Sequence, residues 1–224
     1  MRAVIFDMDG VLVLSGDAHY QAWRAAAAED GIELSFEQFA HTFGRTNPDV
    51  IRMIWHEQAG RPLAGITPAR IASIADAKER AYRDLIRHSV PLAPGCRELL
   101  ESLAIAGWAL GVGSSAPREN LDLVLDSAGI RAFFAGVVDG SMVARGKPDP
   151  EVFIRAAQLL AVDPAHCSVV EDAPAGIEAA VAAGMTAIAL TTTHDEASLR
   201  AAGAHRVFES LDTLREADLV PHRQ

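Results

Sequence analysis

Hydrophobic positions open the chain as a run, Val4-Ile5-Phe6, with the length and β-branched content of a buried strand. The run ends on two carboxylates two residues apart, Asp7 and Asp9, followed by Gly10 and Val11-Leu12. Leu14-Ser15-Gly16-Asp17 breaks the pattern, with Gly16 as a hinge position. Beyond it the period becomes helical, with Ala18, Ala22, Trp23 and Ala26 on one face. Ser35 with Gln38 fits a capping box, and Leu34 with Phe39 the hydrophobic staple around it. Asn47-Pro48 reads as an N-cap with proline at the first helical position, and Thr67-Pro68 repeats the device for a long helix reaching about His88.

From Pro91 the pattern alternates. A helix near Pro94-Gly95 leads to a strand at Trp108–Gly113, and a helix carrying Leu121, Val124 and Leu125 ends at Gly129. A strand at Val137-Val138, a helix over Val152–Leu160 and a strand at Cys167–Val170 follow. Another helix stops at Gly184, before strands at Thr186–Leu190 and His205–Phe208. Strands spaced by helices of this length predict an α/β fold, a doubly wound, Rossmann-like parallel sheet covered on both faces. Residues 17–88 read as helices only. The expected division is therefore a catalytic core of 1–16 and 89–224 with a helical cap domain, 17–88, inserted after the first strand.

Composition narrows the function. A formal net charge of −10 argues against nucleic acid or an anionic membrane as a partner, so an anionic ligand needs local attraction from a metal, lysines and helix N-termini. No apolar run approaches the roughly 18 residues of a membrane span. The N-terminus enters a strand with no signal-peptide pattern, so a cytoplasmic protein is expected, and Cys96 and Cys167 read as reduced thiols. No repeat or coiled coil asks for an oligomer, and a monomer is expected.

Four stretches can carry chemistry, and the first three each have a plain structural alternative. Asp7-x-Asp9-Gly10 fits either a metal-compensated acidic pair or a turn with capping aspartates. A calcium loop is disfavoured because Val11 stands where a further acid or Asn is needed. Gly113-Ser114-Ser115 at a strand end fits an anion site or simple N-capping. In Gly146-Lys147-Pro148-Asp149-Pro150, Asp149 and Pro150 fit an N-cap and first helical position, while Lys147 fits a fixed charge for phosphate or a solvated loop lysine. Val169-Val170-Glu171-Asp172 is a second buried strand ending in acids, able to reach the same ion as Asp7 if the two strands are neighbours.

The joint order, strand with Asp-x-Asp, strand with Ser, loop Lys, strand with Glu-Asp, resembles the haloacid dehalogenase superfamily over essentially the whole chain. Within it the chain is similar to the β-phosphoglucomutase-like phosphatase group, through Phe6-Asp7-Met8-Asp9-Gly10-Val11-Leu12, His19 with Ala22-Trp23, and Glu171-Asp172-Ala173-Pro174-Ala175-Gly176-Ile177. The resemblance implies an Mg²⁺-dependent phosphatase acting on a small phosphorylated metabolite. Asp7 is then the nucleophile that becomes an aspartyl-phosphate, and Asp9 the general acid and later base. It places Mg²⁺ on the Asp7 carboxylate, the Asp9 carbonyl and Asp172, with Glu171 behind them, and the phosphoryl group on Ser114, the Ser115 backbone and Lys147. By the resemblance, His19, the cap residues Arg45 and Asn47 and, on the long cap helix, Lys78 face the substrate, with Tyr82 one turn from Lys78. The plain alternatives are a surface cap for His19, a solvated face for Lys78 and cap core for Tyr82, and Trp23 and Trp55 read as packing.

Two departures separate hydrolase from mutase. The mutase carries a cap arginine for a second phosphate after a Gly-x-Ser; Gly44-Arg45-Thr46-Asn47 puts Asn47 there, with Arg45 displaced. Pro117-Arg118 replaces a Lys-Asn pair near the phosphate site. A distal phosphate has lost its bidentate partner, which favours hydrolysis of a monophosphate. Asp9 argues against dehalogenation, whose leaving halide needs no proton, and Asp7 with Asp172 against a non-catalytic phosphate-binding module. The leaving group stays open among sugar phosphates, phosphoglycolate-like acids and nucleotides.

Overall fold

The computed structural model describes residues 2–42 and 45–221, so Gly44 of the cap motif lies outside the described residues. The first strand, β1 (Ala3–Phe6), is followed by helices α1 (Gly16–Ala28), α2 (Phe36–Ala40), α3 (Asn47–Met53) and α4 (Pro68–Ile86). Alternation then sets in with α5 (Cys96–Ile105), β2 (Ala109–Gly113), α6 (Arg118–Ser127) and β3 (Gly136–Val138). It continues through α7 (Glu151–Leu159), β4 (Cys167–Glu171), α8 (Pro174–Ala182), β5 (Thr186–Leu190), α9 (Glu196–Ala201) and β6 (Arg206–Phe208).

The six strands form one parallel sheet in the order β3-β2-β1-β4-β5-β6. Strand order reverses at β1, which lies between β2 and β4, and such a switch point is where open α/β sheets bind ligands. Alternation along β1 divides the core. Val4 and Phe6 join a cluster with Leu100 and Leu103 of α5 and Leu121 and Leu125 of α6, while Ala3 and Ile5 pack with Val152 and Phe153 of α7 and Ile177 of α8. Cys96 and Cys167 fall in different clusters, on opposite faces, and both are free; burial pushes their thiols up to about 12 and about 11. No described helix is long and apolar enough to cross a membrane.

The helices between β1 and α5 build a third cluster around Trp23, Phe39, Ile51, Ile54 and Ile74. Their base is not independent of the sheet, because Ala22 of α1 and Tyr82 and Ile86 of α4 pack into the core cluster under α5 and α6. The capping box at Ser35 and Gln38 is formed, and Thr67 caps α4 by accepting from the Arg70 N–H.

Several boundaries differ from the sequence reading. The α3 N-cap is Thr46, extended at φ −70° and ψ 150°, so Asn47 is already helical and its side chain is released for another partner. Helix α7 starts at Glu151 behind Pro150, with Asp149 accepting the Glu151 N–H. Gly16 is the first residue of α1, and the break is Leu14-Ser15. Helix α6 begins only at Arg118, leaving Ser114–Pro117 as loop. The short α9, capped by Asp195, was not expected at all.

Candidate active site

Pairing of β1 with β4, Phe6 opposite Val170, delivers Asp7 and the Glu171-Asp172 pair to one rim, and the Asp7 N–H continues the ladder to the Val170 carbonyl at 2.9 Å. Lys147 reaches in from the loop before α7. Its Nζ lies 2.5 Å from Asp7 Oδ1 and 2.7 Å from Glu171 Oε1, and its side chain is 2% exposed, which excludes a solvated loop lysine. Glu171 Oε2 accepts the backbone N–H groups of Asp172 and Ala173 at 2.7 and 2.8 Å. Asp172 Oδ2 accepts from the Thr193 hydroxyl at 2.6 Å.

Two glycines make room for these acids. A Cβ on Gly10, whose φ is +84°, would overlap the Asp172 carboxylate, and one on Gly176 would overlap that of Glu171. Gly10→Ala is expected to cost about 1–3 kcal/mol from the backbone alone and to lower turnover at least about tenfold by displacing Asp172, as read by urea unfolding and steady-state kinetics.

Three buried carboxylates face one lysine. Burial pushes Asp7 up to about 7 despite Lys147, and burial with the charges of Glu171 and Asp7 holds Asp172 well above the usual range. Burial works against the Lys147 ammonium, but Asp7 and Glu171 outweigh it and raise its pKa. Asp9 sits in a different setting. Its Oδ1 accepts from Ser15 Oγ at 2.5 Å and Tyr82 OH at 3.0 Å, and faces His19 Nε2 at 3.0 Å. The His19 ring stacks on Tyr82 at 4.0 Å. Burial pushes Asp9 up, yet His19, the Ser15 hydroxyl and Lys78 outweigh it and hold the carboxyl well below its ordinary value. Among the protein's own groups the donors thus gather on Asp9 and the acids around Asp7.

All the residues singled out by sequence converge on one cavity of about 90 Å³: Asp7, Asp9, His19, Arg45, Asn47, Lys78, Ser114, Ser115, Lys147, Glu171 and Asp172 line it, with Trp23 and Glu79. Ser114 is buried at the end of β2 and its Oγ accepts the Ala116 N–H at 3.1 Å. Lys78 is buried, not solvated, with Nζ 2.9 Å from Glu79 Oε1 and above the rings of Trp23 and Tyr82. Asn47 Nδ2 donates to the same Glu79 oxygen at 2.6 Å, and Arg45 is exposed at the rim. A second space of about 390 Å³ adjoins Ser114, Ser115 and Lys147 between the start of α3 and the loop 140–147.

The sequence did not single out Ser15, Glu79, Asn120 or Thr193 as site residues, and it gave Tyr82 no partner. Of these only Tyr82 had a usable signal, its position one helical turn from Lys78.

For a metal, the donor set is oxygen only, and the negative charge around Asp7 and Asp172 exceeds what Lys147 offsets. Among the described residues no three His, Cys, Asp or Glu side chains form a ready ligand group. Mg²⁺ ordinarily takes one or two carboxylates and keeps several waters, so the pair Asp7 and Asp172 fits it.

The family model for haloacid dehalogenase-like hydrolases matches residues 1–184, and the chain belongs to that family. Among its relatives, β-phosphoglucomutase of Bacillus subtilis is 34% identical over 197 residues, covering 84% of this chain and 82% of that protein. Validoxylamine A 7'-phosphate phosphatase of Streptomyces hygroscopicus subsp. limoneus is 32% identical over 230 residues, covering 98% and 99%. The crystal structure of CbbY from Rhodobacter sphaeroides in complex with phosphate superposes with a TM-score of 0.84 at 28% identity, covering 98% and 99%. The hydrolase family and the parallel core expected from sequence are therefore those of this chain, and the relatives include both phosphatases and β-phosphoglucomutases.

Proposed function

We propose that the protein is an Mg²⁺-dependent phosphatase that hydrolyses a small phosphomonoester through an aspartyl-phosphate on Asp7. The observation that carries hydrolysis over mutase chemistry is the Lys78–Glu79–Asn47 cluster: the buried cap cation is neutralised and the Asn47 amide is turned onto Glu79. Among the described residues a second phosphate then finds only the exposed Arg45 at the rim.

In this reading an Asp7 oxygen attacks phosphorus, the bond to the leaving oxygen breaks, and that oxygen takes a proton from Asp9. Asp9 then removes a proton from the water that attacks phosphorus and releases Asp7. Lys147, Ser114 and the Ser115 backbone hold the phosphoryl oxygens as charge spreads over them. Asp7, Asp172 and the Asp9 carbonyl would hold Mg²⁺, with Glu171 behind them, and the ion supplies charge neutralisation at the phosphoryl group. Ser15, Tyr82 and His19 hold the Asp9 carboxyl low, so its acid role requires it to take up a proton from solvent as substrate entry loosens one of these bonds. Residues 17–88 act as the lid that excludes water, with His19, Lys78 and Tyr82 carried on it.

Replacing Asp9 by Asn is expected to lower kcat about 10²–10⁴-fold for alkyl phosphates and far less for aryl phosphates, whose leaving groups need no proton. Equal losses on both would remove Asp9 from the acid role.

The ion is tested by stability. Asp7 titrates near 7 in the folded protein against an ordinary 3.8, so the folded state binds more protons between these values and its stability falls as pH rises through that window. Mg²⁺ competes with the proton there, and its rise in Tm is expected to be larger at about pH 7.5 than at about pH 5. The mutase alternative is decided by whether β-glucose 1-phosphate is converted to the 6-phosphate with a bisphosphate activator.

A further inference from the structure

Three N–H donors from three helices converge on one buried carboxylate at the wall of the cavity. Asn47 of α3 donates to Glu79 Oε1 at 2.6 Å, Lys78 of α4 to the same oxygen at 2.9 Å, and Asn120 of α6 to Oε2 at 2.6 Å. Arg83 fixes Asn120 in turn, donating to its Oδ1 at 2.9 Å. Asn120 is fully buried, and Glu79, 5% exposed, keeps a face on the cavity that also holds Asp9 and His19. An ammonium and two amides aimed at one point make an anion cradle, and here the chain fills it with its own side chain. Fold stability gives little reason for that choice, since well-packed apolar residues usually replace a buried ionic cluster without loss.

We propose that Glu79 is a built-in anion that sets the charge of the leaving group: the enzyme takes phosphomonoesters of uncharged, polyol-like alcohols and rejects those carrying a second phosphate or a carboxylate. This rests on the phosphatase reading above. A second anion entering the cavity finds the Lys78 ammonium and both amides already engaged by Glu79, whose charge cancels the one cation they hold there, so it would be desolvated with no partner. That unmet desolvation is an element of specificity that acts against the wrong substrate more than for the right one. Of the leaving groups left open by the sequence, phosphoglycolate-like acids are excluded and neutral sugar-like groups retained.

The test compares glycerol 3-phosphate with 3-phosphoglycerate, similar in size but different by one anionic group, as competitors of p-nitrophenyl phosphate hydrolysis. The wild type binds glycerol 3-phosphate more tightly. Glu79→Gln keeps the side-chain volume and removes the charge, and the ratio of inhibition constants is expected to shift toward 3-phosphoglycerate by at least about tenfold. A merely structural role for Glu79 would weaken both competitors together, and an unchanged ratio overturns the proposal. Glu79→Ala gives a readout independent of turnover: with three donors facing a void, acetate raises its Tm and does not raise that of the wild type. A variant that folds and is not stabilised by acetate overturns the cradle; if it does not fold, the Glu79→Gln ratio decides. A wild type that hydrolyses no phosphomonoester removes the phosphatase reading, while the acetate measurement still decides the cradle.

Discussion

Asp7→Asn is expected to lower phosphomonoester turnover by about a thousandfold or more while the protein keeps its fold and its metal-free stability. The loss is large because an amide cannot form the acyl phosphate, so the two-step route closes altogether and does not merely slow. Stability holds for an electrostatic reason. Asp7 is one of three buried acids facing a single lysine, and burial already pushes its carboxyl up to about 7, so a neutral side chain there relieves repulsion. Lys147 keeps Glu171 as a partner at 2.7 Å. Circular dichroism and urea unfolding of the metal-free variant check the second half of this expectation, and a phosphate-release assay the first.

Lys147→Met is expected to do the opposite to stability and the same to activity. Methionine matches the length of the aliphatic stem, but it removes the ammonium that stands over the Phe153 ring and the charge that Asp7 and Glu171 share. Taking one partner from a buried ionic cluster leaves unpaired charge and costs about 3–5 kcal/mol, which urea unfolding of the metal-free protein resolves. Added Mg²⁺ should recover part of that loss, since a divalent ion on the same acids replaces the missing positive charge. Turnover should fall about 10²–10³-fold, because a donor to the developing phosphoryl charge is gone. A variant as stable as wild type at neutral pH without metal would show that the acids are protonated there and that the lysine does not hold them.

The two variants bear on how much the sequence made legible. Asp7, Asp172 and Lys147 were readable because each stands at the end of an apolar strand or between turn residues, where stability gives a charge little reason to be. The pairing of β1 with β4 then brings the two aspartates' strand ends together, as a doubly wound order allows. The partners of Asp9 were not readable. Ser15 falls in a pattern break, and Tyr82 has the apolar spacing of a helix face, so nothing local shows that both hydroxyls turn to one carboxylate. Glu79 was hidden for the same reason: a glutamate next to a lysine on a helix has the pattern of a solvated pair, and its burial depends on Asn47 and Asn120 from two other helices. Asn47 lines the cavity but its amide is spent on Glu79, and the shift of the α3 cap to Thr46 frees it to do so. Short elements such as α9 escaped because six residues give too little periodicity to see.

In the proposed mechanism Asp7 carries the phosphoryl group between substrate and water. Intact-mass and peptide mapping of enzyme acid-quenched during turnover of a phosphomonoester test it most directly. One phosphoryl group on the peptide holding Asp7, absent from Asp7→Asn, is the predicted result. Turnover with no enzyme-bound phosphoryl group on any rapid-quench timescale, or with the group on another residue, would contradict it.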